Sequence, residues 1–329
     1  MKILITGGAG FVGLHLAKLL SENSSNKVYI IDDLSRGRQD EDFSGIVKKD
    51  NVVFFNEDLK KIEALKKISE IGFDHIYHCA AVNGTRNFYE RPYYTLSNNI
   101  QITINGIEAF KNSGAKFLFT SSSETYSGNE NLDVPTPEVI RVSIKDVFNP
   151  RWSYAGSKIV GEQLFIHAAK EYGMRFSIVR PHNFYGERMG YEHIIPGVIK
   201  RILEKQDPFE LIGGNETRSF CYIEDAVRAL EKVMLSDKTD GKIINIGKND
   251  EVLIEGVYKK IFNLTGFNSK NVVRKDSPEG STNRRCPDVS LLKKLTGYTA
   301  ETSLEEGLRK TYEWYKQNLS QNINQRPPV

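Results

Sequence analysis

The stretch "ITGGAGFVGLHLAKLL", residues 5–20, decides the fold. Gly8-Ala9-Gly10-Phe11-Val12-Gly13 fits G-x-G-x-x-G, and Gly7 precedes it. The pattern follows an apolar strand and opens a helix, which is the setting of a dinucleotide loop. A tight turn needs glycine for its backbone angles, and a pyrophosphate needs a backbone with no side chain in the way. The free N–H groups and the positive end of the helix then meet the charge. Nineteen residues past Gly13 stands Asp32, ending a second apolar run in "YIIDD" with Asp33 beside it. A carboxylate there suits the ribose hydroxyls of NAD and repels the 2′-phosphate of NADP. Arg36 and Arg38 lie nearby and keep a phosphate-bearing cofactor open. Asp58 and Leu59 in "NEDL" are candidate adenine contacts; an ordinary loop aspartate is the alternative.

Around this loop the chain has 329 residues, enough for about two domains or one large α/β unit with an appended part. Hydrophobic residues are 39% and charged residues 26%, as in an ordinary globular protein. The net charge of +3 is too small to point to nucleic acid or an anionic membrane. No apolar run reaches the roughly 20 residues of a membrane span, and "MKILITGG" is too short for a secretory core. Cys79, Cys221 and Cys286 are far apart and odd in number, so neither a disulfide framework nor a metal site is expected. A reducing cytoplasm is the expected location.

Short apolar runs alternate with amphipathic stretches. "KILIT" (2–6), "KVYIID" (27–32), "VVFF" (52–55), "HIYHCA" (75–80), "KFLFTS" (116–121), "FSIVRP" (176–181) and "KIINIG" (242–247) read as buried strands. Helical patterns lie near 11–22, 94–113, 154–172, 190–204 and 222–235. This alternation predicts an α/β fold, a Rossmann-type doubly wound parallel sheet covered on both faces. Past residue 181 the alternation weakens. Residues 1–181 are expected to form the nucleotide domain, and 182–329 a smaller α/β substrate-binding region with some segments returning to the sheet. The tail "QNINQRPPV" has no periodicity.

"TSSSETY" (120–126) ends a strand in hydroxyls and a carboxylate. In "RWSYAGSKIVGEQ", Tyr154 and Lys158 are four apart and share one helix face. An ammonium near a phenol favours the phenolate, and a tyrosine tuned this way can take a proton from a sugar hydroxyl. Alone, such a pair is common on surface helices; with the nucleotide loop and the serine strand it becomes a catalytic candidate.

"GGAGFVG", "DDLS", "HCAA", "TSSSETY", "YAGSK", "RPHNFYG", "TRSFCYIEDAV" and "RRCPD" together resemble the extended short-chain dehydrogenases that act on nucleotide sugars. The resemblance covers nearly the whole chain. It implies NAD as cofactor, Ala80 in the cofactor site, and Ser122 as the residue that completes a triad with Tyr154 and Lys158. Asn99 matches an asparagine that supports the active site. Asn183, Arg218 and Arg285 match residues that hold the diphosphate of a sugar nucleotide, a task suited to the planar guanidinium. Arg86 and Arg188 are further anion candidates, and Ser123 is a substrate contact. A homodimer is implied, pairing the helices near 94–113 and 154–172. Ile100, Ile104, Ile107, Ile159 and Leu164 fit this or packing on the sheet.

These enzymes oxidise the sugar at C4 and return the hydride. With no further acid or base, the sugar can turn over and be reduced from the other face, which inverts C4. A 4,6-dehydratase usually carries Asp-Glu where this chain has Ser123-Glu124, which counts against dehydration. Ser-Glu resembles UDP-glucuronate decarboxylases, whereas the loop "AAVNGTRNFYERP" is more like C4 epimerases. "RPHNFYG", "TRSF", "SPEG" and "GLRKTYEWY" resemble GDP-mannose 3,5-epimerase. In that reading Glu124, with a pKa raised by a water-poor pocket, would exchange a carbon-bound proton, and His193 would serve the opposite face. The alternatives are a Glu124 that only holds a sugar hydroxyl and a structural His193. The order of expectation is epimerase, decarboxylase, dehydratase; a non-catalytic NAD sensor is the other class, disfavoured because the triad is intact.

Overall fold

A computed structural model of the chain describes residues 1–129, 133–269, 271–277 and 282–319. The tail at 321–329 lies outside them, as does most of "SPEG". The first half runs β1 (Lys2–Thr6), α1 (Phe11–Ser21), β2 (Lys27–Asp32), α2 (Glu41–Val47), β3 (Val52–Asn56), α3 (Ile62–Ser69) and β4 (His75–His78). It continues with α4 (Thr85–Glu90), α5 (Pro92–Phe110), β5 (Lys116–Thr120), a 3₁₀ turn (Ser123–Tyr126), α6 (Trp152–Tyr172) and β6 (Arg175–Pro181). Then follow β7 (Phe184–Tyr185), α7 (Ile194–Leu203), β8 (Phe209–Ile212), β9 (Thr217–Ser219), β10 (Cys221–Tyr222) and α8 (Ile223–Leu235). The chain closes with β11 (Lys242–Ile246), β12 (Glu251–Leu253), α9 (Ile254–Thr265), β13 (Val272–Lys275), β14 (Arg284–Arg285), α10 (Ser290–Thr296) and α11 (Leu304–Asn318).

Seven parallel strands form the main sheet in the order β11-β6-β5-β4-β1-β2-β3. The order reverses between β1 and β4, so a crevice opens at their carboxyl ends, where such sheets bind ligands. Side chains alternate across the sheet. Ile3 and Ile5 enter a core shared with α1, α8 and α11, while Leu4 enters the core under α3, α5 and α6. The first core runs from Ile3 to Tyr315, so residues after 181 pack on the same sheet as those before it. β11 completes the sheet beside β6.

Elements deviate from the sequence pattern where local chemistry intervenes. β4 stops at His78 because the next N–H groups turn toward β1: Cys79 donates to Thr6 O and Ala80 to Thr6 Oγ1. α5 begins at Pro92, whose fixed φ suits a first helical position. α7 starts only at Ile194, because Arg188 holds a φ of +64° and His193 is extended. Among the described residues no helix is long and apolar enough to cross a membrane, and no His, Cys, Asp and Glu group is arranged to hold a metal.

Candidate active site

The glycine loop fills the mouth of the crevice. Gly7 sits at φ +71°, where a side chain is strained, and any Cβ there would lie 2.7 Å from Ala80 Cα. Gly10 N donates to Gly7 O at 3.1 Å, and a Cβ on Gly13 would collide with that same oxygen. Leu14 N is the first to bond back, to Gly10 O, so the N–H groups of Phe11, Val12 and Gly13 have no helical acceptor. Gly10, as the N-cap, offers no side chain to take them. This cradle fits a diphosphate.

Asp32 lies against the loop, accepting from Ala9 N at 3.0 Å and Leu34 N at 2.8 Å. Burial pushes its carboxyl up to about 6, against the pull of those two N–H groups. Asp33 turns outward and caps Ser35. Arg36 and Arg38, which could have met a 2′-phosphate, are engaged elsewhere: Arg36 with Asn83 O and Glu192, Arg38 with Arg188 O. Asp58 accepts from Lys60 N, and Asn105 holds the carbonyl of the buried Leu59.

Ser122 caps the 3₁₀ turn after β5, its Oγ accepting from Glu124 N at 3.2 Å. Burial pushes the Tyr154 phenol well up, the Ser122 hydroxyl pulls it back only in part, and the nearby Glu124 charge raises it further. The Tyr154 ring stacks on Phe88 at 5.0 Å. Lys158 is buried one turn along α6; its Nζ donates to Thr120 O at 2.7 Å, and burial lowers it to about 8. Its ammonium stands 5.7 Å from the Tyr154 ring centre. The expected lowering of the phenol by lysine is corrected: burial raises it, and the opposing pulls come from Ser122 and Arg36.

Glu124 differs most from expectation. Its carboxylate accepts from Arg285 Nη1 at 2.9 Å, Arg151 Nη2 at 3.5 Å and Ser127 Oγ at 3.1 Å. Burial alone would raise its pKa, but the two guanidiniums and these bonds win and hold it down at about 2. It is an ionised carboxylate, not the raised acid expected. Arg285 and Arg218 are register partners on adjacent parallel strands. Burial and the Arg285 charge push Arg218 down to about 10. Arg151, which the sequence reading overlooked, is partly buried, with its Nε unpartnered. Its position just before the Tyr154 helix was the only available signal. Two cations thus hold one carboxylate, and Arg218 stands nearby in the field of Glu124 and Glu216.

Ser123 is buried in the same turn. Asn183 donates to Ser219 O at 2.8 Å and so ties β9 to the end of β6. Asn99 grips both backbone groups of Val82 and donates to Ser157 Oγ, pinning the loop after β4 to α5 and α6. His193 caps α7 beside Glu192 and Arg36, and burial lowers its pKa. Two anion candidates have protein partners of their own. Arg86 is exposed and clasps Glu90 one turn along α4. Arg188 is buried against Asp40 and Ala9 O, at the nucleotide loop and not in the arginine cluster.

Residues 3–247 match the model of the NAD dependent epimerase/dehydratase family. The chain is 33% identical to the UDP-N-acetyl-alpha-D-glucosaminuronate decarboxylase of Bacillus cytotoxicus, over 96% of this chain and 98% of that one. It superposes on the UDP-glucuronic acid 4-epimerase of Bacillus cereus, solved with UDP-glucuronic acid and NAD, with a TM-score of 0.87 at 28% identity, covering 96% and 99% of the two chains. The UDP-glucose 4-epimerase of Thermotoga maritima, solved with UDP-glucose, superposes with a TM-score of 0.86 at 27% identity, covering 97% and 100%. A glycine cradle on a seven-stranded parallel sheet, a Ser/Tyr/Lys constellation beside it and a family match over most of the chain lead to one conclusion: this chain belongs to the NAD-dependent epimerase/dehydratase family.

Proposed function

We propose that this chain is a nucleotide-sugar 4-epimerase that oxidises C4 of a hexose transiently and returns the hydrogen to the opposite face. NAD, when bound, supplies reversible hydride acceptance at that carbon. Tyr154 takes the C4 hydroxyl proton, Ser122 orients that hydroxyl, and Lys158 holds the cofactor ribose and stabilises the phenolate. Arg151, Arg218 and Arg285 receive the diphosphate or another anionic group of the substrate. The observation that carries this reading is the join between the two halves of the site. Ser122 caps the turn that packs on the Tyr154 helix, and two residues on Glu124 anchors Arg285 and Arg151.

An ionised Glu124 held by two arginines is a poor exchanger of carbon-bound protons, which disfavours a 3,5-epimerase. Inversion at C4 needs no third acid or base. Decarboxylation of a uronate is the second reading. It is favoured by the excess of cations around Glu124, which suits a sugar carboxylate, and by the Bacillus cytotoxicus relative. The test is NMR and mass analysis in D2O on a panel of nucleotide sugars and uronates, with no added reduced cofactor. A C4 epimer without carbon-bound deuterium supports the proposal. Deuterium at C3 or C5 with mass otherwise conserved overturns the role given to Glu124, and loss of CO2 selects the second reading. We further propose a cytoplasmic homodimer through α5 and α6, where Leu96 and Ile166 are more than a third exposed; light scattering tests the dimer.

A further inference from the structure

We propose that Arg188 is a positioning residue for the nucleotide loop and that its pairing with Asp40 keeps NAD resident. Arg188 lies in "GERM" (186–189), far along the chain from the loop it touches. It is 3% exposed and adopts a φ of +64°, a conformation a bulky side chain takes only when its surroundings demand it. Every nitrogen of its guanidinium is used. Nε donates to Asp40 Oδ2 at 2.6 Å, and Nη2 to Asp40 Oδ1 at 3.1 Å and Arg38 O at 3.2 Å. Nη1 donates to Ala9 O at 3.1 Å.

The Ala9 contact reaches the cradle directly. Ala9 C=O and Gly10 N–H belong to one planar peptide. Arg188 fixes its carbonyl end, and Gly7 O accepts from its N–H end. On the other side of Ala9, its own N–H donates to Asp32. Arg188 therefore orients the turn that presents the free N–H groups of residues 11–13 and the ribose-side carboxylate together. Neighbouring bonds make the fastening continuous. Arg38 donates back to Arg188 O, Glu192 pairs with Arg36, and His15 on α1 stands 4.0 Å from Glu187. From α11, Tyr315 bonds Met189 O and Trp314 bonds Asp42 at 3.0 Å. Freeing the loop requires segments 36–40 and 187–192 to part, and the bidentate Arg188–Asp40 pair opposes that. Slow cofactor release suits a reaction that restores its cofactor each cycle. The inference depends on NAD binding alone and stands whichever sugar outcome holds.

The experiment follows NAD release by chasing labelled NAD from purified R188M, R188K, D40N and R188M/D40N proteins. Urea unfolding of each NAD-free protein runs alongside. R188M and D40N are each expected to release NAD at least about tenfold faster than the parent, and the double variant no faster than the faster single. R188K should fall between, since an ammonium can pair with Asp40 without also spanning Ala9 O and Arg38 O. Release within about twofold of the parent from folded R188M or D40N overturns the proposal, because a merely structural ion pair would lower the unfolding midpoint alone. An R188K rate equal to the parent overturns the role given to the Ala9 contact. If R188M does not fold, D40N decides, since it removes the charge at nearly constant volume.

Discussion

Replacing Glu124 by glutamine keeps the side chain's size and removes its charge from between Arg285 and Arg151. In the folded chain the carboxyl is held at about 2, against 4.5 for the free side chain. At about 1.36 kcal/mol per pH unit, that gap corresponds to about 3 kcal/mol of stability. The folded-state pKa is depressed, so the contribution is complete above the unfolded value near 4.5 and is lost as pH falls through about 2. Urea unfolding of the NAD-free protein at pH 7.5 should therefore show E124Q less stable by about 3 kcal/mol with an unchanged slope, and by about half as much at pH 3. A deficit below about 1 kcal/mol at pH 7.5 would refute the ion-pair account. So would a deficit that does not shrink at pH 3, because it would come from packing and not from charge.

Tyr154→Phe keeps the ring that stacks on Phe88 and loses the hydroxyl proposed to move the proton, so turnover should fall by about 10²–10⁴ while the urea midpoint barely moves. Burial raises Asp32 from 3.8 to about 6, so its contribution is present below 3.8 and lost as pH rises through about 6. Thermal unfolding of ligand-free Asp32→Asn should accordingly gain on the parent between pH 4 and pH 7, and its preference for NAD over NADP should weaken. Burial lowers Lys158 to about 8, so kcat/KM should decline as pH rises through about 8. In Lys158→Arg, whose cation stays protonated, that alkaline limb should move up, as a pH–rate profile would record.

The parts of the site that follow from neighbours in sequence were legible in advance. The glycine cradle, Asp32 at the next strand end, and Tyr154 one turn before Lys158 each depend on local geometry. The charge state of Glu124 was not legible, because its partner Arg285 is 161 residues away and arrives on a short strand beside β9. Arg151 escaped notice for a related reason, since the bond to Glu124 closes over a loop of 27 residues. Arg188 carried the residue type of an anion ligand, but its place depends on a contact 179 residues distant. The helix spacing of Tyr154 and Lys158 suggested a lowered phenol. Burial of both groups, which depends on how α6 packs on the sheet, reversed that expectation.

The central claim is that hydrogen leaves C4 and comes back to C4 within one protein. The most direct test offers a nucleotide sugar deuterated at C4 to the purified protein in ordinary water and follows the product by NMR and mass. The account predicts an inverted C4 that retains its deuterium, with Tyr154→Phe blocking the conversion. Loss of that deuterium to solvent, or full conversion by Tyr154→Phe, would contradict it.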